Sequence, residues 1–142
     1  MSIRVLVVDD FAPFREFISA LLQKRPELQV VGEASDGVQA ITKATELQPE
    51  VVLLDIAMPA LDGLEAAKGI RARSPNSRIL FASQESSPDL VREAFGVGAY
   101  GYVVKADAAS ELLAAVDAVI RGERFLGSRF VNLDLTFPGF AI

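Results

Sequence analysis

The chain has 142 residues, of which 51% are hydrophobic and 23% charged, and its 14 basic and 19 acidic residues give a net charge of −5. This length predicts a single domain. The absence of Cys and His excludes thiolate zinc sites, thiol nucleophiles, Ser-His-Asp triads and imidazole bases. No window approaches the ~18 apolar residues of a membrane span, and the acidic balance disfavours a nucleic-acid surface. We expect a soluble, cytoplasmic domain with no membrane contact.

Apolar runs of strand length alternate with helix-period stretches from the N terminus to about residue 121. The predicted strands are residues 3–8, 29–33, 51–54, 78–82 and 101–104. The intervening helices are predicted to begin near Pro13, Asp36, Asp62 and Pro88, and Asp62 is interpreted as a helix cap. The second helix is expected to bury Val38, Ile41 and Ala44, and the fifth Leu112, Leu113, Val116, Val119 and Ile120.

Strands that alternate with helices in this way predict an α/β fold with right-handed crossovers. The expected arrangement is a doubly wound, five-stranded parallel sheet of order 2-1-3-4-5, which is a flavodoxin-like (βα)5 fold. In such sheets ligands bind outside the carboxyl ends of the strands, at the switch point between the first and third strands. This rule selects the residues that follow each strand.

Acidic residues follow the first and third predicted strands. Asp9 and Asp10 end the first strand, and Asp55 comes directly after the third. Three carboxylates at one sheet edge repel one another unless a cation lies between them. Mg²⁺ prefers such oxygen ligands and accepts phosphate oxygens in its remaining positions. The pattern therefore predicts a Mg²⁺ site.

A hydroxyl and an ammonium group follow the fourth and fifth predicted strands, at Ser83 and Lys105. Together with a carboxylate and a divalent cation they form a site suited to transfer of a phosphoryl group onto an aspartate. Lys105 and the cation would neutralise the equatorial oxygens, and Ser83 would donate one hydrogen bond. Asp55, the central acid, is the predicted acceptor.

These motifs resemble the receiver domain of bacterial two-component response regulators over residues 1 to about 121. The matching elements are Asp9-Asp10, the stretch DIAMPALDG from Asp55 to Gly63, Ser83 after ILFA, and GAYGYVVK ending in Lys105. The run GAYGYVVKAD and the helix after it are most similar to regulators with a LuxR/NarL-type helix-turn-helix output domain.

The resemblance implies a phosphoacceptor and a metal site. Asp55 would be phosphorylated by a sensor histidine kinase, a phosphotransfer protein or a small phosphodonor. Asp9, Asp10, Asp55 and the backbone carbonyl of Ala57 would hold Mg²⁺. The protein would then be a signalling switch whose own catalysis is limited to self-phosphorylation and autodephosphorylation, and it would not be a classical enzyme.

The resemblance also implies a switch. Ser83 and Lys105 would contact the phosphoryl oxygens, and Tyr102 would turn inward as Ser83 moves toward the phosphate. The fourth helix, fifth strand and fifth helix would form the face that partners or a second copy recognise. Phosphorylation would shift the population between two packings.

Two positions depart from the family pattern. Ala106 stands where many receivers have proline after the lysine, so a cis peptide bond is not expected there. Gln84 follows Ser83 where a small residue is usual. A larger amide at the mouth of the site predicts slower phosphoryl turnover.

Residues 122–142 differ in character from the receiver segment 1–121. Val131, Leu133, Leu135 and Phe137 alternate like a strand with one apolar face. This tail either folds back on its own domain or acts as a docking or dimerising arm. About twenty residues are too few for a helix-turn-helix domain, so DNA contact would require an output domain beyond this segment.

Three other functions remain alternatives to the phosphorylatable switch. A Mg²⁺-dependent phosphatase with an aspartyl intermediate usually has an acid two residues after the nucleophile, where this chain has Ala57. A flavodoxin-like FMN carrier needs a Ser/Thr/Gly-rich phosphate loop after the first strand, where this chain has DDFAPF. An unphosphorylated interaction scaffold would not need the complete acidic site.

Overall fold

Six parallel strands form one sheet in the computed structural model, which describes residues 2–133. The strands are β1 (Ile3–Val8), β2 (Leu28–Ala34), β3 (Val51–Leu54), β4 (Arg78–Ser83), β5 (Gly101–Val104) and β6 (Phe125–Leu126), in the order β2-β1-β3-β4-β5-β6. The predicted α/β fold and the order 2-1-3-4-5 are confirmed. The predicted number of five strands is corrected to six, because β6 pairs with β5 at the sheet edge.

Five helices connect or follow the first five strands. They are α1 (Ala12–Leu22), α2 (Gly37–Leu47), α3 (Gly63–Arg73), α4 (Pro88–Gly96) and α5 (Ala108–Ile120). Asp36 and Asp62 cap α2 and α3 by accepting backbone N–H bonds of 2.8 and 3.0 Å from the third residue after each. Within the part of the chain that the structure describes, no helix combines the length and the apolar character that a bilayer crossing requires.

The core lies on both faces of the sheet because the strands are buried on both sides. Val5 and Val7 of β1 face the layer formed by α1 and α5, whereas Leu6 and Val8 face α2, α3 and α4. The prediction that Val38 is buried is wrong, since its side chain is 56% exposed. Ala44 is buried as predicted, and Ala40 takes the place expected for Val38 on the buried face of α2.

Residues 122–133 fold back on the domain, which is the first of the two arrangements considered for the tail. Phe125 and Leu126 form β6, and a 3-10 turn at Ser128–Phe130 follows. Phe130 is buried in the core, whereas Val131 is 82% exposed and lies in a turn. The predicted strand therefore does not form at Val131. Leu135 and Phe137 lie outside the described residues.

Candidate functional site

The carboxyl ends of β1 and β3 bring three acidic residues together. β1 and β3 are neighbours, and the Asp55 N–H donates to the Val8 carbonyl at 3.0 Å, which extends their hydrogen-bonded ladder by one residue. One carboxylate oxygen each from Asp9, Asp10 and Asp55 lies within 4.8 Å of the others. Asp9 and Asp55 are buried and Asp10 is exposed. The cluster therefore opens to solvent on the side of Asp10.

The backbone around Asp55 is fixed by the start of α3. The Gly63 N–H donates to the Ile56 carbonyl at 2.7 Å, and a Cβ at Gly63 would lie only 2.0 Å from the Asp55 carbonyl oxygen. Only glycine permits this approach of helix to strand end. The Ile56 N–H also donates to Oδ1 of Asp55 at 2.8 Å, which orients the carboxylate.

Lys105 joins the acidic cluster from the end of β5. Its Nζ lies 2.7 Å from Oδ2 of Asp9 and 3.3 Å from Oδ2 of Asp55. The ammonium also lies 4.6 Å from the ring centroid of Phe14 on α1, within cation–π range. One ammonium thus bridges two of the three carboxylates, and the formal charge of the cluster stays negative.

Burial raises the pKa of the Asp55 carboxyl from 3.8 to about 6, the charge of Asp9 adds to this, and Lys105 opposes it. The site therefore disfavours ionised Asp55 until further positive charge arrives. Three carboxylate oxygens around one point match the hard-oxygen donor set of Mg²⁺. The residues present thus fit the predicted metal.

A cleft of about 240 Å³ opens over these residues. It is lined by Asp10, Phe11, Asp55, Ala57, Ser83, Gln84, Glu85 and Lys105. The structure therefore brings together the predicted site residues at the ends of β1, β3, β4 and β5, and Asp9 is buried beside them. Gln84 is exposed at the cleft, and the described peptide bonds, including the one before Ala106, are all trans.

Sequence reasoning did not identify Phe11 and Glu85 as lining residues. Phe11 is 60% exposed in the structure. The sequence signal that could have identified it is its position as a large aromatic residue directly after Asp9 and Asp10. Glu85 had no comparable signal, because its place in the cleft depends on how the chain turns after β4.

Tyr102 lies inside the fold next to this turn. Its side chain is buried, and its hydroxyl donates to the Glu85 carbonyl at 2.8 Å. The Glu85 N–H in turn donates to Oγ of Ser83 at 3.1 Å. Burial raises the pKa of the Tyr102 phenol above its usual value. Tyr102, Glu85 and Ser83 therefore form one connected group at the edge of the cleft.

Residues 5–117 match the response regulator receiver domain family. The chain belongs to this family. The receiver is 36% identical over 127 residues to the transcriptional regulatory protein LiaR of Bacillus subtilis (strain 168). The aligned region covers 89% of this chain and 60% of that protein. It is 34% identical over 138 residues to the response regulator GacA of Pseudomonas protegens. This aligned region covers 97% of this chain and 64% of that protein.

Solved structures of receivers are similar to this one along most of the chain. A two-component response regulator of the LuxR family from Aurantimonas sp. SI85-9A1 is 32% identical with a TM-score of 0.89, covering 94% of this chain and 95% of that chain. The receiver domain of the response regulator NarL from Mycobacterium tuberculosis is 34% identical with a TM-score of 0.81, covering 86% and 98%. The chain spans 53 to 64% of the length of these and similar curated relatives. Several of those relatives are transcriptional regulatory proteins, and others are response regulators.

Proposed function

We propose that this receiver is a signalling switch that accepts a phosphoryl group on Asp55 in a Mg²⁺-dependent reaction. One observation carries the proposal: oxygens of Asp9, Asp10 and Asp55 lie within 4.8 Å of one another, with the ammonium of Lys105 bridging two of these residues. A cluster of this kind supplies a carboxylate nucleophile and the means to neutralise an incoming phosphate.

Phosphoryl transfer begins with attack of an Asp55 carboxylate oxygen on the phosphorus of the donor. A new P–O bond forms, the bond from phosphorus to the leaving group breaks, and the leaving group keeps its electron pair. Lys105 and Ser83 are positioned to contact the phosphoryl oxygens, since both line the cleft with Asp55. Hydrolysis by water then restores the carboxylate and releases inorganic phosphate.

Mg²⁺ would be held by Asp9, Asp10 and Asp55, with the backbone carbonyl of Ala57 as a further ligand. The bound metal would neutralise charge on the phosphoryl oxygens. Asp9 is buried with one oxygen against Lys105 and the other accepting the Phe11 N–H at 2.9 Å, so its carboxylate is fixed in place. Asp10 is exposed and completes the site on the solvent side.

Phosphorylation would be read out at the face formed by α4, β5 and α5, through Ser83 and Tyr102. The donor would be a sensor histidine kinase or a phosphotransfer protein. A homodimer through this face or the tail, DNA binding through an output domain and a cytoplasmic location stay predictions. In the described residues β6 already pairs with the edge of β5, so strand pairing between two copies at that edge would require β6 to move.

The phosphatase alternative is not favoured. Ala57 stands where aspartyl-intermediate phosphatases usually carry a second acid, and the relatives are transcriptional regulators.

The experiment that tests the proposal is incubation of the full chain with labelled acetyl phosphate, with and without Mg²⁺. We expect label only with Mg²⁺, and none in Asp55→Asn. The matched control is Asp62→Asn, because Asp62 is an exposed helix cap that asparagine can replace. Label that persists in Asp55→Asn, or that needs no divalent cation, would overturn the proposal.

A further inference from the structure

The segment after α5 pairs with the edge of the receiver sheet. This C-terminal arm (residues 122–133) runs parallel to β5, with the Phe125 N–H donating to the Tyr100 carbonyl at 2.8 Å and the Gly127 N–H donating to the Tyr102 carbonyl at 3.2 Å. One of these bonds goes to the carbonyl of Tyr102 itself, and the other goes to Tyr100, two residues before it. The arm is therefore joined to the backbone of the predicted switch residue.

Polar side chains fasten the arm to the start of α5. Ser128 donates from both its N–H and its Oγ to Oε2 of Glu111, at 2.9 and 2.7 Å. Arg129 forms a two-pronged ion pair with Asp107, with N–O distances of 2.7 and 2.9 Å. Such paired geometry orients side chains more than a single exposed ion pair does. The arm is thus bound by specific contacts to the start of α5 as well as to β5.

Phe130 carries the arm into the core. Its side chain is 6% exposed, and its ring meets the ring of Tyr102 edge-on, at a centroid distance of 5.9 Å and an interplanar angle of 86°. Phe81 of β4 is the second aromatic neighbour of Tyr102, at 6.3 Å. The ring of Tyr102 is therefore in contact with one aromatic side chain from the sheet and one from the arm.

A short chain of contacts leads from Phe130 to the cleft. The Tyr102 hydroxyl donates to the Glu85 carbonyl, the Glu85 N–H donates to Ser83, and both Glu85 and Ser83 line the cleft beside Asp55. We propose that Phe130 is a positioning residue that holds Tyr102 in its buried rotamer, so that docking of the arm and occupation of the phosphoacceptor cleft stabilise each other. This inference rests on the proposed function.

Coupling of this kind is reciprocal. If the docked arm favours the buried rotamer of Tyr102 and thereby a phosphate mimic in the cleft, the mimic must favour the docked arm by the same factor. Allosteric couplings start at about fivefold, and we expect a factor of this size. The three acids of the Mg²⁺ site follow β1 and β3, whereas Phe130 packs against Tyr102 of β5, so we expect Mg²⁺ affinity alone not to depend on the arm.

The test measures dissociation constants of Mg²⁺ alone, and of beryllofluoride in saturating Mg²⁺, for the full chain by calorimetry. The variants are Phe130→Ala, the conservative Phe130→Leu, and Val131→Ala as a control at the exposed neighbouring position. We expect Phe130→Ala to weaken beryllofluoride binding about fivefold, Phe130→Leu to recover part of the loss and Val131→Ala to match the wild type. Mg²⁺ binding should be equal in all four proteins.

A second measurement uses only the wild type, so it tests the coupling between arm and cleft even if Phe130→Ala does not fold. Beryllofluoride should slow hydrogen exchange at the Phe125 and Gly127 amides of the wild type about fivefold. Three results would overturn the role of Phe130 and leave the proposed function in place. They are unchanged exchange at these two amides, a beryllofluoride affinity of Phe130→Ala equal to that of the wild type, and a loss of Mg²⁺ affinity in Phe130→Ala as large as its loss of beryllofluoride affinity. A wild-type chain that binds no beryllofluoride would overturn the proposed function, and this inference with it.

Discussion

Lys105 lies closer to Asp9 than to Asp55, with Nζ–O distances of 2.7 and 3.3 Å. Both carboxylates are buried, so this single ammonium offsets much of their mutual repulsion. On phosphorylation of Asp55, the same ammonium would be in reach of the phosphoryl oxygens with little movement. In the proposed mechanism, Lys105 would contact Asp55 both before and after phosphorylation.

Replacing Lys105 by Met keeps the length of the side chain and removes its charge. Two buried carboxylates then lack their cation, and we expect the free energy of unfolding without Mg²⁺ to fall by ~3 kcal/mol. Mg²⁺ affinity should rise at least about fivefold, because a competing positive charge has left the site. Urea unfolding with and without Mg²⁺ checks both effects. Lys68→Met, at an exposed helix position, should change neither.

The raised pKa of Asp55 predicts a pH dependence of stability in the absence of metal. The native carboxyl holds its proton up to a pKa of about 6, whereas the unfolded one releases it near 3.8, so stability falls as pH rises through that window. The shift corresponds to at most about 3 kcal/mol, and solvent on the open side of the cleft reduces the expected loss to about 2 kcal/mol.

Asp55→Asn should abolish this loss and make the metal-free chain about 2 kcal/mol more stable than the wild type at neutral pH. Urea unfolding across pH 4 to 7 measures it. Asp62→Asn should follow the wild-type curve. An Asp55→Asn curve parallel to that of the wild type would show that Asp55 ionises without cost.

Substitution of Gly63 tests how closely α3 packs against the end of β3, and substitution of Gly96 in α4 is the control. A Cβ at Gly63 would lie 2.0 Å from the Asp55 carbonyl oxygen, whereas one at Gly96 has nothing within 4 Å. We expect Gly63→Ala to lose ~3 kcal/mol of unfolding free energy and to weaken Mg²⁺ binding. Gly96→Ala should be neutral or stabilising by up to ~1 kcal/mol. Equal effects in both variants would contradict the close approach.

Gln84 is exposed and lines the cleft where a small side chain is usual in receivers. We expect Gln84→Ala to admit phosphodonor and water more readily and to raise the rates of phosphorylation and dephosphorylation about threefold, equivalent to ~0.7 kcal/mol in each barrier. Ser86→Ala, two residues further along the chain, serves as the control. Unchanged rates in Gln84→Ala would remove the steric argument.

The sheet and the acidic cluster were predictable from the sequence because both follow from simple periodicity. β1, β3 and β5 have the predicted bounds, since continuous apolar runs end abruptly at polar residues. Parallel pairing then brings the residues after each strand to one edge. The proximity of Asp9, Asp10 and Asp55 needed no information beyond this topology.

The arm and the path to Tyr102 were not predictable in the same way. β6 has only two residues, Phe125 and Leu126, which is too short for any alternation to be visible. The apolar alternation further along pointed instead to Val131, which is exposed. Burial of Phe130 depends on its contact with Tyr102, and a contact between residues distant in the chain leaves no local signal.

Of the three clustered carboxylates, we propose that Asp55 alone accepts phosphate. Borohydride reduction of the chain after incubation with Mg²⁺ and acetyl phosphate converts an acyl phosphate on aspartate to homoserine, which peptide mass spectrometry locates. We predict homoserine at position 55 alone. Homoserine at Asp9 or Asp10, or none at position 55 in a chain that carries label, would contradict the account.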